Sequence, residues 1–376
     1  MHRFRNRPLS HYLLTGILLI IIVSGSYTCF SLTSMVKDIS SSVSQNMKNT
    51  MDPLAPDPGK TKSENISIPK SASKVLIGTY LERIEDLDIK QSSWTYEFYL
   101  WFRWDPTKID FLGKKDDIHL HELPFAIVNG DILKSDKIDE FYDSVKKVGY
   151  IQYYVKAKNT QFFDVRLYPI DKHDLIIPIE HKWLNRTQLV FVPDTVDSKV
   201  SSRVMINGYD KNPSIKLIEK PHAYKSARGN PKLSSGFKVD FSQYRLSQRI
   251  EKGGLTAILK IFLILYIAVI VTFIAPFSND PSRYTVGALF TTAGANYVLA
   301  SKLPAINVYS LAEIINSFCI VIIIVMMSLL AILPSVVFKD GIIDGFEKKL
   351  TATINITMFL FFALINILVV WVALSF

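Results

Sequence analysis

An all-β extracellular sandwich followed by a four-helix transmembrane bundle, with an N-terminal anchor or signal helix in front, is the fold the sequence predicts. Three observations carry it. Charged residues, 43 basic and 34 acidic, crowd into the head and middle of the 376-residue chain and thin out over its last third. That last third holds apolar runs long enough to cross a bilayer. Between about residues 74 and 249 the pattern changes to short runs dense in aromatic and β-branched residues, broken by Gly, Pro, Asn and Asp.

At the N-terminus, Arg3, Arg5 and Arg7 precede an apolar run from Leu13 to Val23. Its length suits a signal-peptide core, and Ser24-Gly25-Ser26 offers a cleavage context. Leu32, Met35, Val36, Ile39 and Val43 then continue at helical spacing, which favours an uncleaved anchor running on into a juxtamembrane helix. In either case the arginines hold the N-terminus inside and send the following region outside. Residues 1–31 are thus the anchor or signal peptide. Residues 32–72 are a juxtamembrane segment and a polar linker, rich in Ser, Pro, Asp, Lys and Asn from about residue 44.

The exported domain, residues 73–250, contains VLIGTYL, WTYEFYLWFRW, YIQYYVKA, DLIIPIE, TQLVFVP, SIKLIE and FKVDFSQYRL. Seven or more short strands without an intervening helical pattern argue for an antiparallel, immunoglobulin-like sandwich. His119 and His121 alternate in HLHEL, more simply one polar face of a strand than a metal site. No Ser, His or Asp grouping has the context of a catalytic nucleophile, so the chain is read as a non-enzyme without metal or cofactor. Cys29 and Cys319 both lie in apolar stretches, which leaves no disulfide framework. The net charge of +9 comes from basic residues interleaved with acidic ones, with no Lys/Arg stripe for nucleic acid.

Residues 251–376 form the membrane domain. Leu255–Phe277 carries one charge, Lys260, near its start, where it can snorkel to the interface; Leu311–Phe338 and Ile354–Leu374 are apolar on all sides, and Lys339, Lys348 and Lys349 fall on the inner loop between them. Arg283–Leu303 is different. At 100° per residue, Thr285, Leu289, Thr292, Asn296 and Leu299 fall on one side, a stripe of mainly small polar groups on an otherwise apolar helix. Either the helix is buried in its own bundle with threonines bonded to their own backbone, or it lines an aqueous path.

The stretch from Gln161 to Leu175, QFFDVRLYPIDKHDL, resembles the signature loop of the pentameric ligand-gated ion channels, the Cys-loop receptor superfamily. Asp164, Val165, Pro169 and Asp171 coincide with the family's pattern, and Gln161 and Leu175 occupy its two cysteine positions, as in the prokaryotic branch. Other pieces follow in the family's order. YEFYLWFRWDP resembles the second strand, with Trp104; LPFAIVNGD resembles the stretch of the first binding loop that ends in Asn129. Arg249 stands at the pre-membrane arginine. SRYTVGALFTTAGANYVLASKLP resembles the pore helix and the turn after it.

The resemblance implies a homopentameric ligand-gated channel in the plasma (inner) membrane, its β-domain outside. Thr285, Leu289, Phe290, Thr292, Asn296 and Leu299 would line the pore; Asp280 and Arg283 would set selectivity, with a weak cation preference. Trp104, Asn129, Trp183, His222 and Tyr224 would form the binding site for an agonist of unidentified chemistry. Pro169, Asp171, Arg249, Leu303 and Pro304 would couple it to the gate. Placing Arg283 at the basic start of the helix turns Thr292 toward the axis; anchoring on Leu303-Pro304 brings Phe290 to the gate instead. A non-conducting membrane sensor is the alternative, disfavoured by the short loop KDGIIDGFEKKL.

Overall fold

The computed structural model describes residues 7–55, 67–114, 122–226, 231, 238–304, 308–337 and 344–375. His119, His121, Lys339 and residues 56–66 of the expected linker lie outside them. Two compact units form: Met1–Val43, Val165–Asp171 and Gly253–Phe376 make the first, Ser44–Asp164 and Lys172–Lys252 the second.

The second unit is the β-sandwich. Its strands are β1 (Ser73–Asp88), β2 (Ser93–Trp104), β3 (Phe125–Ile127), β4 (Gly130–Asp143), β5 (Val148–Thr160), β6 (Lys172–His181), β7 (Leu189–Pro193), β8 (Lys199–Val200), β9 (Asp210–Tyr224) and β10 (Val239–Glu251). One sheet has the order β4-β5-β2-β1-β7, with β8 also on β1; the other runs β3-β6-β10-β9. Trp94, Tyr96, Phe98, Leu100 and Phe102 alternate along β2 into a core they share with Phe125, Ile177, Phe191, Tyr244 and Leu246. Each such aromatic or aliphatic burial contributes about 1.5–3 kcal/mol, which is why the aromatic runs read as strands.

Two features depart from the sequence reading. The sandwich is not wholly antiparallel, because β1 pairs β7 and β8 in parallel. Strand β4 was not among the expected runs: it is an edge strand paired only to β5, mostly exposed, and its sequence GDILKSDKIDEFYD carries the charges that protect an open edge.

The first unit holds the helices, except that the end of α1, from Ser44, belongs to the second. Helix α1 spans Arg7–Thr50, α2 Gly254–Ile274, α3 Pro281–Lys302, α4 Leu311–Val337 and α5 Asp344–Leu374; a short 3₁₀ turn, Ala275–Phe277, follows α2. Helix α1 is continuous through Ser24-Gly25-Ser26 and runs past residue 44, where the linker was expected. Its end is locally supported: the Gln45 amide donates to Asn49, and the Thr50 hydroxyl to the Asn46 carbonyl. Helix α5 likewise begins at Asp344, before the apolar run at Ile354, because polar residues continue a helix beyond its apolar part.

Among the described residues, four stretches are long and apolar enough to cross a bilayer: Thr15–Thr50, Gly254–Phe277, Leu311–Ile332 and Lys349–Leu374. The chain is a multi-pass membrane protein by that measure. Helix α3 is not among the four. Helix α2 packs against α3, α4 and α5, and α3 against α4. Asparagines tie α5 to α2: Asn355 donates to the Phe273 carbonyl, and Tyr266 donates to Asn366 at 3.4 Å.

Candidate functional site

Helix α3 starts at Pro281, two residues before the Arg283 start expected from the sequence. Asp280 is its N-cap, accepting the Arg283 N–H at 3.4 Å and the Ser282 hydroxyl at 2.9 Å, with Pro281 at the first helical position. One proposed selectivity residue is therefore also a capping residue. Beyond the cap, the helix presents its polar stripe inward. Thr285, Thr292 and Leu299 are buried within the unit, and the threonine hydroxyls donate to their own helix, Thr285 to the Ser282 carbonyl at 3.1 Å and Thr292 to that of Leu289 at 2.8 Å.

The register expected to turn Thr292 toward an aqueous axis is therefore not the one in which the single chain packs. Small hydroxyl side chains let α3 approach α2 and α4 closely, and each hydroxyl can satisfy itself. Leu289 is half-buried and Asn296 exposed. On the opposite side Phe290 is 74% and Tyr297 78% exposed, with Arg283, Gly287, Gly294 and Ser301 on the same exposed face. Spacings of seven place Arg283, Phe290 and Tyr297 in one line along the helix.

Helix α4 opens with the pattern Ser310-x-x-Glu313. The Ser310 N–H and hydroxyl donate to the Glu313 carboxylate at 2.7 and 2.8 Å, and the Glu313 N–H returns to the Ser310 hydroxyl at 3.2 Å, a reciprocal cap. The two N–H groups between them find partners in the segment Val165–Asp171 of the same unit. Leu311 donates to the Arg166 carbonyl at 2.8 Å, and Ala312 to that of Tyr168 at 3.1 Å. The start of α4 thus has the expected coupling segment as part of its hydrogen bonding. Pro169 follows a cis peptide bond, and Asp171 is 1% exposed. Leu303, at the C-cap of α3, is buried and Pro304 half-buried.

In the sandwich, Gln161 stands where the family has its first cysteine. Its amide donates to the Asp174 carbonyl at 2.5 Å and accepts the Ile176 N–H at 3.1 Å, clasping the strand on either side of Leu175. Arg249 grips the same strand through a two-pronged pair, Nε to Asp174 Oδ1 and Nη2 to Oδ2, both at 2.9 Å. Asp174 is nearly buried, and these bonds push the arginine above its usual range.

The expected binding residues divide into two groups. Trp104 lies in the core, 4.9 Å from the Phe111 ring and over Gly149, where a Cβ would come within 2.6 Å of the indole. It also borders a cleft of about 630 Å³ lined by Ile109, Lys114, Glu140 and Tyr142. Asn129 makes the turn from β3 to β4 at φ 55°, its carbonyl accepting the Thr160 N–H at 2.8 Å. His222 and Tyr224 share β9, with ring centroids 4.7 Å apart, and the Tyr224 hydroxyl donates to Glu180 at 2.8 Å.

Trp183 meets the edge of His181, which the sequence did not single out, at 4.8 Å. The Leu184 N–H donates to His181 Nδ1 at 3.0 Å, so Nδ1 is the acceptor and Nε2 carries the proton toward the Phe111 carbonyl at 3.0 Å. Glu180 was missed as well. An acidic residue and a histidine ending the apolar run DLIIPIE are the only signal, and burial of both is what makes them matter. Among the described residues no group of three or more His, Cys, Asp or Glu is placed to hold a metal ion.

On the other sheet, Glu97 accepts from Tyr154 at 2.7 Å and Arg83 at 2.9 Å. Burial alone would raise this carboxyl, but the two hydrogen bonds outweigh it and hold it below its usual range. Burial, then the Glu97 partner, pushes Tyr154 up to about 12.

No protein-family model and no curated protein matches the chain.

Proposed function

We propose that the chain is one subunit of a homopentameric ligand-gated ion channel, with helices α2–α5 as a four-helix transmembrane bundle and the immunoglobulin-like sandwich outside the plasma (inner) membrane. The observation that carries this reading is the exposed face of α3. The helix has 22 residues, about 33 Å at 1.5 Å per residue, enough to cross a bilayer. Yet it is not apolar enough to face lipid, and its exposed line alternates large side chains with glycines. Five such faces around an axis give it water and neighbours together.

In this assembly the Phe290 rings form the constriction and close the path by dewetting. Arg283 stands at the inner mouth. Asp280 also lies there, and the positive N-terminus of α3 that it caps offsets part of its pull, which leaves the cation preference a weak one. An agonist engages the region of Trp183, His222 and Tyr224, and favours the open state only through contacts that differ between the two states. The signal passes through Arg249 and the Pro169–Asp171 segment to the start of α4 and the Leu303-Pro304 turn.

Planar-bilayer recording of the purified oligomer tests the reading. Phe290→Ala removes the plug and is expected to pass current without any agonist. An intact oligomer of that variant that passes none would mean a non-conducting sensor and overturn the proposal.

A further inference from the structure

The last turn of α1 ends on the sandwich in an unusual setting. The final carbonyls of a helix have no partner inside it and collect negative partial charge. Here two cations supply partners, and both are almost fully buried: Lys220 at 3% and Arg245 at 5% exposure. Lys220 Nζ donates to the Asn49 carbonyl at 2.8 Å, and Arg245 Nη1 to that of Thr50 at 2.7 Å.

Arg245 is also the end of a relay. Its Nε donates to the Gln243 side-chain carbonyl. The Gln243 amide donates to Glu180 Oε1 at 2.7 Å, and Glu180 Oε2 accepts the Tyr224 hydroxyl at 2.8 Å. Each group is oriented by the next: Gln243 can offer its carbonyl to Arg245 only while its NH₂ faces Glu180. Buried networks of this kind polarise and position one another, so a change at one end alters the other.

We propose that α1 is wired through Arg245, Gln243 and Glu180 to Tyr224, so that what engages Tyr224 is felt at the helix C-terminus. Gln243 and Arg245 are positioning residues in this scheme and Lys220 the second tie. Helix α1 is continuous from Thr50 back to Arg7, and in the first unit its Ser42 accepts a hydrogen bond from Arg166 at 3.3 Å. In the first unit the same helix thus meets the Val165–Asp171 segment, and the wiring does not depend on whether the protein conducts.

Amide hydrogen exchange of the full chain in lipid nanodiscs tests the wiring without an agonist and without current. Tyr224→Phe is expected to speed exchange at residues 46–50 roughly tenfold, the scale of one lost hydrogen bond to a charged group, while the amides of β2 are unchanged. Arg245→Met should do the same, and the double variant should exchange no faster than Arg245→Met alone, because the two act in series. Should Arg245→Met expose the β2 amides as well, Gln243→Leu takes its place with the same expected result. Unchanged exchange at 46–50 in Tyr224→Phe, or additive effects in the double variant, would overturn the proposal.

Discussion

Phe290 and Thr292 are two residues apart on α3 and face opposite ways: the phenylalanine is 74% exposed, the threonine 0%. Cysteines placed at the two positions should therefore differ sharply. A water-soluble thiol reagent is expected to modify Phe290→Cys in the assembled protein and spare Thr292→Cys. Thr292→Val should change stability by less than about 1 kcal/mol, since the hydroxyl serves only its own helix, whereas Thr292→Lys would bury a charge and block assembly. Labelling of Thr292→Cys with Phe290→Cys protected would contradict the packing.

The Gln161 clasp predicts a stability effect that no surface residue would have. Gln161→Ala leaves the Asp174 carbonyl and the Ile176 N–H without this partner, and should lower the stability of the sandwich by about 1–3 kcal/mol. Gln161→Glu keeps the acceptor for Ile176 but places a carboxylate against the Asp174 carbonyl, and is expected to be no better than alanine. Thermal unfolding of the two variants beside the parent checks both statements.

Gly25 of α1 touches Phe361 of α5 so closely that a Cβ there would lie 2.8 Å from the ring. Gly25→Leu should push the helices apart at a cost of about 1–3 kcal/mol, read as a lower melting temperature in detergent. Phe361→Ala should restore part of it in the double variant. A Gly25→Leu protein as stable as the parent would show that α1 does not rest on α5 at this point.

Glu97 predicts acid sensitivity. Its carboxyl titrates below the usual 4.5, so the unfolded chain takes up the proton more readily than the folded one. The stability it contributes is complete above the ordinary carboxylate range and is lost as pH falls through its own lowered value. Glu97→Gln should melt lower at neutral pH, where it lacks the ionic contacts to Arg83, yet show a shallower loss of melting temperature between about pH 5 and pH 3. Parallel curves for parent and variant over that interval would refute the assignment.

Much of this architecture is legible in the residues themselves. Runs such as WTYEFYLWFRW announce strands because each second side chain must leave water, and the three apolar stretches after residue 250 announce membrane helices because only a closed helix satisfies its backbone in lipid. The caps at Asp280 and Ser310 are equally local. What depends on neighbours in space is not legible: β4 looks like a charged loop until β5 supplies its hydrogen bonds, and Glu180 gains meaning only once Tyr224 and Gln243 surround it.

The sequence by itself determined that α3 has two unlike sides, since side-chain type and helical period are properties of the chain alone. Which side faces inward was decided by the tertiary structure. A threonine can satisfy its hydroxyl on its own helix and so is as much at home against α2 and α4 as against water, while the bulk of Phe290 and Tyr297 finds no room there. Polarity alone cannot rank those two choices; packing volume does.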